Sequence, residues 1–160
     1  MTKVNENNSI SESFDLFIQA ASLTQKYADS AFYKKAGIST PKYAAMQILA
    51  NADNPVTPSE IARKIIKERH DITTLIRRMK RDGLIDITPN ALDRRSVIIT
   101  LIEKGREKLV QAEPVAEEIA NQVMSKIGKT NMASMNKYLN TVKHNAIDGI
   151  HKFSNNKYQI

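Results

Sequence analysis

The chain has 160 residues, 41% of them hydrophobic, with no cysteine and a formal net charge of +7, for a sequence pI of about 9.6. The missing thiols exclude disulfides, thiolate metal sites and thiol-based redox sensing. The length suffices for one domain with a core of its own, or for a protomer that shares its core with a twin.

No apolar run of signal-peptide length opens the chain, and no window approaches the ~20 apolar residues that span a bilayer, so a cytoplasmic protein is expected. The positive charge favours polyanionic partners, nucleic acid before membrane surface. A net charge of this size also serves solubility, so its placement carries the argument. Arg63, Lys64, Lys67, Arg69, Arg77, Arg78, Lys80, Arg81, Arg94 and Arg95 all fall within residues 57–101.

In chain order, residues 1–11 are polar, with Asn5, Asn7 and Asn8, and are predicted to fray. Residues 12–35 carry Phe14, Phe17, Ile18, Ala21, Leu23, Ala28, Ala31 and Phe32 without a glycine or proline, which predicts one long amphipathic helix ended by Gly37. Its apolar face is wider than a small domain can cover, and packing on another chain is its natural outlet. Pro41 opens a second helix, residues 41–52, with Tyr43, Ala44, Met46, Ile48 and Leu49, and Asp53-Asn54-Pro55 makes a turn.

Thr57-Pro58-Ser59-Glu60 has the form of a capping box with proline at the first helical position, where its missing N–H costs nothing. Ile61, Ala62, Ile65 and Ile66 continue that third helix. The fourth, residues 69–82, buries the stripe Ile72, Leu75, Ile76 and Met79 and stops at Gly83. Residues 84–88 alternate as a strand, residues 89–95 turn, and the β-branched residues 96–101 return.

A long helix over residues 103–127 follows, with a kink expected at Pro114 and an end at Gly128. A last helix, residues 131–153, shows Met135, Leu139, Val142, Ala146, Ile150 and Phe153 at the spacing of a helix-to-helix seam.

The chemistry concentrates on the fourth helix and the hairpin tip. His70, Thr73, Thr74, Arg77 and Arg81 share the side opposite the apolar stripe, with no carboxylate among the five. A solvated helix face usually mixes both signs to gain i,i+4 pairs. A face of Thr, His and Arg instead suits base edges and phosphates in a major groove. His70, Thr73, Thr74 and Arg77 are read as reaching bases, and Arg69 and Arg81 as meeting phosphates. Arg78 either pairs with Asp82 or serves the backbone.

At the hairpin tip, Asp93-Arg94-Arg95 is either a charged turn or a minor-groove probe, in which an Asp two residues ahead holds the Arg through a charge-assisted pair. No phosphate loop, nucleophile elbow or HExxH motif is present, so no enzyme and no cofactor are expected. His144, Asp148 and His151 share a face of the last helix, but a metal would want a ligand from a second element, and no metal site is assigned.

The order of helix-turn-helix, Gly83-Leu84-Ile85, a hairpin with Asp93-Arg94-Arg95 and then Glu103-Lys104-Gly105-Arg106 resembles the winged-helix regulators of the multiple antibiotic resistance regulator (MarR) family. Ile38-Ser39-Thr40-Pro41-Lys42-Tyr43 and Ile48-Leu49 resemble that family's second helix, and the likeness runs from about Phe14 onward. It implies a mainly α fold with a small β-hairpin wing. Residues 37–103 would form a winged helix-turn-helix, and residues 1–36 and 104–160 the dimerisation helices.

The resemblance further implies a homodimeric, ligand-responsive repressor on a pseudo-palindromic operator in double-stranded DNA, with Asp93 holding Arg95 in the wing. A small-molecule effector would lodge near Phe32, Tyr43, Met46 and the start of the helix at Glu103; those residues read equally as ordinary core, and no ligand is assigned. Two positions depart from the family pattern: Ile102 replaces the usual Thr before Glu-Lys-Gly, so the cap comes from Thr100 or is absent, and Ile66-Lys67-Glu68 lacks the Gly that this turn often holds. The competing reading is a winged-helix protein-interaction module that does not read DNA, which would show apolar anchors on the outer face of the fourth helix.

Overall fold

The computed structural model describes residues 6–66, 69–91, 93 and 95–153, with the side chains of residues 6–8, 69, 70 and 153 outside that description. Helix α1 (Glu6–Ala31) passes into a π-helical turn (Phe32–Ala36) and is followed by α2 (Thr40–Ala50), α3 (Pro58–Ile65) and α4 (Arg69–Arg81). Strands β1 (Ile85–Pro89) and β2 (Val97–Leu101) then lead into α5 (Glu103–Met124) and α6 (Lys129–Phe153). The architecture is mainly α with one β-hairpin, a winged helix-turn-helix flanked by long helices.

The expected single helix over residues 12–35 starts earlier and ends differently. Its last turn widens to π geometry, where Phe32 and Ala36 are buried and Tyr33, Lys34 and Lys35 face solvent. Gly37, at φ +65°, closes it with its N–H on the carbonyls of Phe32 and Tyr33, a conformation that suits glycine.

Helix α4 ends in a Schellman turn. Gly83 sits at φ +70°, its N–H donates to the Lys80 carbonyl at 3.0 Å, and the Leu84 N–H reaches back to Met79 at 3.0 Å.

Met46 of α2, Ile61 of α3, Ile72 and Met79 of α4 and Ile99 of β2 are fully buried and tie the helices to the hairpin. The hairpin register runs from Ile85 opposite Leu101 to Pro89 opposite Val97. A third, one-residue rung joins it: the Ile99 N–H donates to the Val56 carbonyl at 2.8 Å. Ala28, Ala31, Phe32 and Ala36 continue the core toward Leu109, Ala112, Val115 and Ile119 of α5. Helix α5 runs through Pro114 without a break in its helical span.

Both departures from the family pattern have structural consequences. Helix α3 ends on Ile66 at φ 53°, ψ 58°, a left-handed conformation that costs an L-residue about 1–2 kcal/mol. Thr100 does not cap α5: the N-cap is Ile102, with no side-chain hydrogen bond.

At Gly105, a β-carbon would fall 2.1 Å from the Leu84 carbonyl oxygen and 2.6 Å from Leu101 Cδ1. Gly105→Ala should therefore destabilise the fold by about 3 kcal/mol, the upper range for overpacking, because one obstacle is backbone. A urea midpoint equal to that of the native chain would show that α5 slides away cheaply.

Ile66 is 63% exposed, so replacing it sacrifices little burial. Ile66→Gly should raise stability by about 0.5–1 kcal/mol, the relief of left-handed strain less the added freedom of the unfolded chain. A drop in thermal midpoint would contradict the strain.

Candidate nucleic-acid interface

Helix α3 starts as its sequence dictates. Thr57 Oγ1 accepts the Glu60 N–H at 3.3 Å, and the Thr57 N–H donates to Glu60 Oε2 at 2.6 Å, completing the capping box. The Thr57 backbone donor holds the Glu60 carboxyl below its ordinary pKa.

Helix α4 presents two contrasting sides. Ile72, Leu75, Ile76 and Met79 are buried, while Thr73, Thr74, Arg77, Arg78 and Arg81 are exposed. Thr73, Arg77 and Arg81 lie four residues apart in one row along the helix. Asp71 is exposed in the first turn, so a carboxylate borders this face, although none lies among the five residues singled out from sequence. Arg69 and His70 have helical backbones, but their side chains lie outside the described residues.

The positive charges at the end of α4 divide their roles. Lys80 Nζ lies 3.5 Å from Asp86 Oδ1 on β1, and Arg81 Nε lies 3.5 Å from Asp82 Oδ1. Asp82 also binds Lys42 Nζ. The carboxylate offered in the sequence as a partner for Arg78 is thus engaged by Lys42 and Arg81. Lys42, chiefly by hydrogen bonding, holds the Asp82 carboxyl below its ordinary pKa.

At the hairpin tip the structure revises one expectation. Asp93 Oδ1 accepts the backbone N–H of Arg95 at 3.0 Å, and the Asp93 carbonyl accepts the Ser96 N–H at 2.9 Å. In this geometry the carboxylate shapes the turn through the main chain of Arg95, where the sequence suggested a grip on its guanidinium. Asp93 and Arg95 are both exposed; Arg94 lies outside the described residues. Asn90, which the sequence reading passed over, ties the tip together: its Nδ2 donates to Ser96 Oγ at 2.9 Å and its N–H to the Ser96 carbonyl at 3.2 Å.

Phe32 and Tyr43 stack with ring centroids 4.6 Å apart, and both are buried, as is Met46. Gln47 Nε2 donates to the Tyr43 hydroxyl at 2.7 Å. Burial, then the nearby charges of Glu113 and Glu117, push the Tyr43 phenol above its ordinary pKa. All three expected effector residues therefore belong to the core.

On α6, a His144 ring nitrogen, Nδ1, is 2.7 Å from the Asn140 carbonyl of its own helix. The described residues hold no group of three or more His, Asp or Glu placed to share a metal ion. None of the described helices is long and apolar enough to cross a membrane.

A model of the MarR family matches residues 36–96. The chain is 28% identical over 112 residues to the HTH-type transcriptional repressor IacR of Pseudomonas putida, covering 70% of this chain and 66% of that protein. Across the curated relatives it matches, the chain spans between 41% and 66% of their length.

A MarR-like transcription regulator of known structure from Bacillus cereus ATCC 10987 superposes with a TM-score of 0.74 at 25% identity, over 88% of this chain and 99% of that one. Sco3205, a MarR family transcriptional regulator from Streptomyces coelicolor solved in complex with DNA, superposes with a TM-score of 0.80 at 18% identity, over 91% and 94%. That second likeness is one of fold.

The depressed carboxyls at Glu60 and Asp82 give a pH dependence of definite sign. A carboxyl held low in the folded state contributes stability above its unfolded pKa of about 4, and loses it as pH falls through the folded value. Urea midpoints measured downward from pH 7 should therefore fall below about pH 4. Asp82→Asn, which cannot titrate, should make that acid limb shallower; an unchanged limb would show that the Lys42 contact does not survive in solution.

Proposed function

The chain belongs to the MarR family, and from that premise we propose that it is a dimeric, sequence-specific, DNA-binding transcriptional regulator. In this reading it is a ligand-responsive repressor that works in the cytoplasm and catalyses no reaction. One observation carries the reading. The outward face of α4 is polar and basic through Thr73, Thr74, Arg77, Arg78 and Arg81, and its opposite face is sealed into the core. A module for binding protein would place apolar anchors on that face, and the described residues there include none.

Thr73, Thr74 and Arg77, with His70, would meet base edges, and Arg69 and Arg81 phosphates. Arg95, on a turn shaped by Asp93, and Arg94 beside it would enter the minor groove, where a narrow groove strengthens the negative potential.

Dimerisation would use residues 1–36 and 104–160. None of residues 9–27 or 129–152 is buried in the single chain. Yet Phe14 is 60% exposed, Leu16 60%, Leu23 67% and Tyr138 67%. A second copy would cover this apolar surface and set two α4 helices about 34–36 Å apart, one helical turn of DNA. An effector would act where Phe32 and Tyr43 join the long helices to the winged unit. Because both are already buried, its entry would require those elements to part.

The test begins with selection of bound duplexes from a random DNA pool. If the dimer neutralises ~6–10 phosphates, affinity should fall about 10³–10⁵-fold between 50 and 200 mM salt. Arg77→Ala should cost about 1–3 kcal/mol on the preferred duplex and relax preference at one position in each half-site. Arg95→Ala should weaken binding broadly, most on duplexes with A·T-rich flanks. A flat salt response, with equal losses for both variants on every duplex, would sink the assignment of helix to bases and wing to groove.

A further inference from the structure

We propose that Asp82 is a positioning residue for DNA recognition, fixing the angle of α4 against the rest of the protomer without itself touching the duplex. The proposal rests on the regulator reading above. Asp82 follows the last residue of α4 and draws on two other helices at once. Its carboxylate binds Lys42 Nζ of α2, and its main-chain carbonyl accepts Lys104 Nζ of α5 at 2.8 Å. The Lys42 side chain retains only 17% of its exposure and the Asp82 side chain 32%, so this pair is more shielded than the 75%-exposed Arg81 beside it.

The junction beyond Asp82 is equally constrained. The Leu84 carbonyl accepts the Ile102 N–H at 3.3 Å and faces Gly105 across a gap too small for a methyl group. Helix α4 therefore cannot turn about its C-terminal end without breaking the Lys42 contact or dragging α5. Side chains that read bases must be held within about 0.5 Å and 10–20° of their working geometry. Thr73 and Arg77 sit two and one turns back from this anchored end, where rotation becomes displacement.

Charge gives the test its sign. Lys42 and Asp82 are oppositely charged, so a duplex that felt only their charge would bind Lys42→Met less tightly and Asp82→Asn more tightly. Positioning predicts loss in both. Asp82→Asn keeps the side-chain shape and leaves the carbonyl bond to Lys104 in place.

On the selected duplex at fixed salt, each single variant should bind about tenfold more weakly. The double variant should bind no more weakly than Asp82→Asn alone, because the ion pair that Lys42→Met removes is already lost in it. Lys42→Arg should restore affinity to within about twofold, since charge and reach remain, and Lys42→Met should keep the native salt slope, since no phosphate contact is lost.

Unchanged or tighter binding by Asp82→Asn overturns the proposal. So does a double variant whose losses add, or a shallower salt slope in Lys42→Met. A native protein that selects no duplex fails the regulator reading itself, at a stage before any variant is compared.

Discussion

A β-carbon on Gly105 would lie 2.1 Å from the carbonyl oxygen of Leu84, and much of the chain is arranged around that approach. Leu84 follows the Schellman turn that ends α4, and Gly105 lies in the first turn of α5. Because no side chain separates them, the Leu84 carbonyl can also take the Ile102 N–H, and Lys104 can reach over to Asp82. The end of α4, the end of β2 and the start of α5 thus converge on one set of main-chain contacts. A backbone contact is stiffer than a side-chain contact, which has rotamers to exchange. The attitude of the winged unit toward the long helices is accordingly set where the tolerance is smallest.

That stiffness contrasts with the two ends of the chain. Helices of 26 and 25 residues, α1 and α6, place little of their length against their own protomer. Their apolar residues, among them Phe14, Leu16, Leu139 and Val142, remain substantially exposed. Within the dimer proposed here, such surface is the material of the interface, and α5 is the connector, buried along Leu109, Ala112, Val115 and Ile119. Lys35, on the π turn, holds Glu118 of α5 at 2.6 Å, so the junction between α1 and α2 is pinned to the same helix. A movement of the long helices would then be carried to α4 through α5.

Periodicity and punctuation made most of this fold legible in the sequence. The stripe Ile72, Leu75, Ile76 and Met79 identified the inward face of α4, and Thr57 through Glu60 identified the start of α3, because local rules govern both. The glycines at 37 and 83 marked real helix ends for the same reason.

What escaped was non-local or depended on the main chain. The partners Lys42 and Asp82 lie forty residues apart, and nothing in their neighbourhoods pairs them. Val56 was placed in no element, since a one-residue rung leaves no alternation to detect. The Phe32–Ala36 turn escaped because π geometry has no compositional signature of its own. At the wing, Asp93 was recognised as important, but its bond runs to a backbone N–H, and sequence spacing cannot distinguish that from a grip on the guanidinium.

The two isoleucines at unexpected positions show how packing can stand in for local chemistry. Ile102 forgoes the side-chain hydrogen bond that a threonine would give the first turn of α5. That bond is worth about 1 kcal/mol, and covering part of a branched aliphatic side chain offsets some of its loss. Ile102 is 37% exposed, so it is only partly covered, and Glu103 in the first turn adds the negative charge that the helix N-terminus favours.

Ile66 is different. It is mostly exposed and left-handed, so burial offers it little compensation. Its strain must be held by the structure on either side: the capped start of α3, with Ile61 fully buried, and the sealed inner face of α4. A residue that stays left-handed without being glycine is one that its flanking helices hold in place, and for Ile66 those are the two helices of the helix-turn-helix.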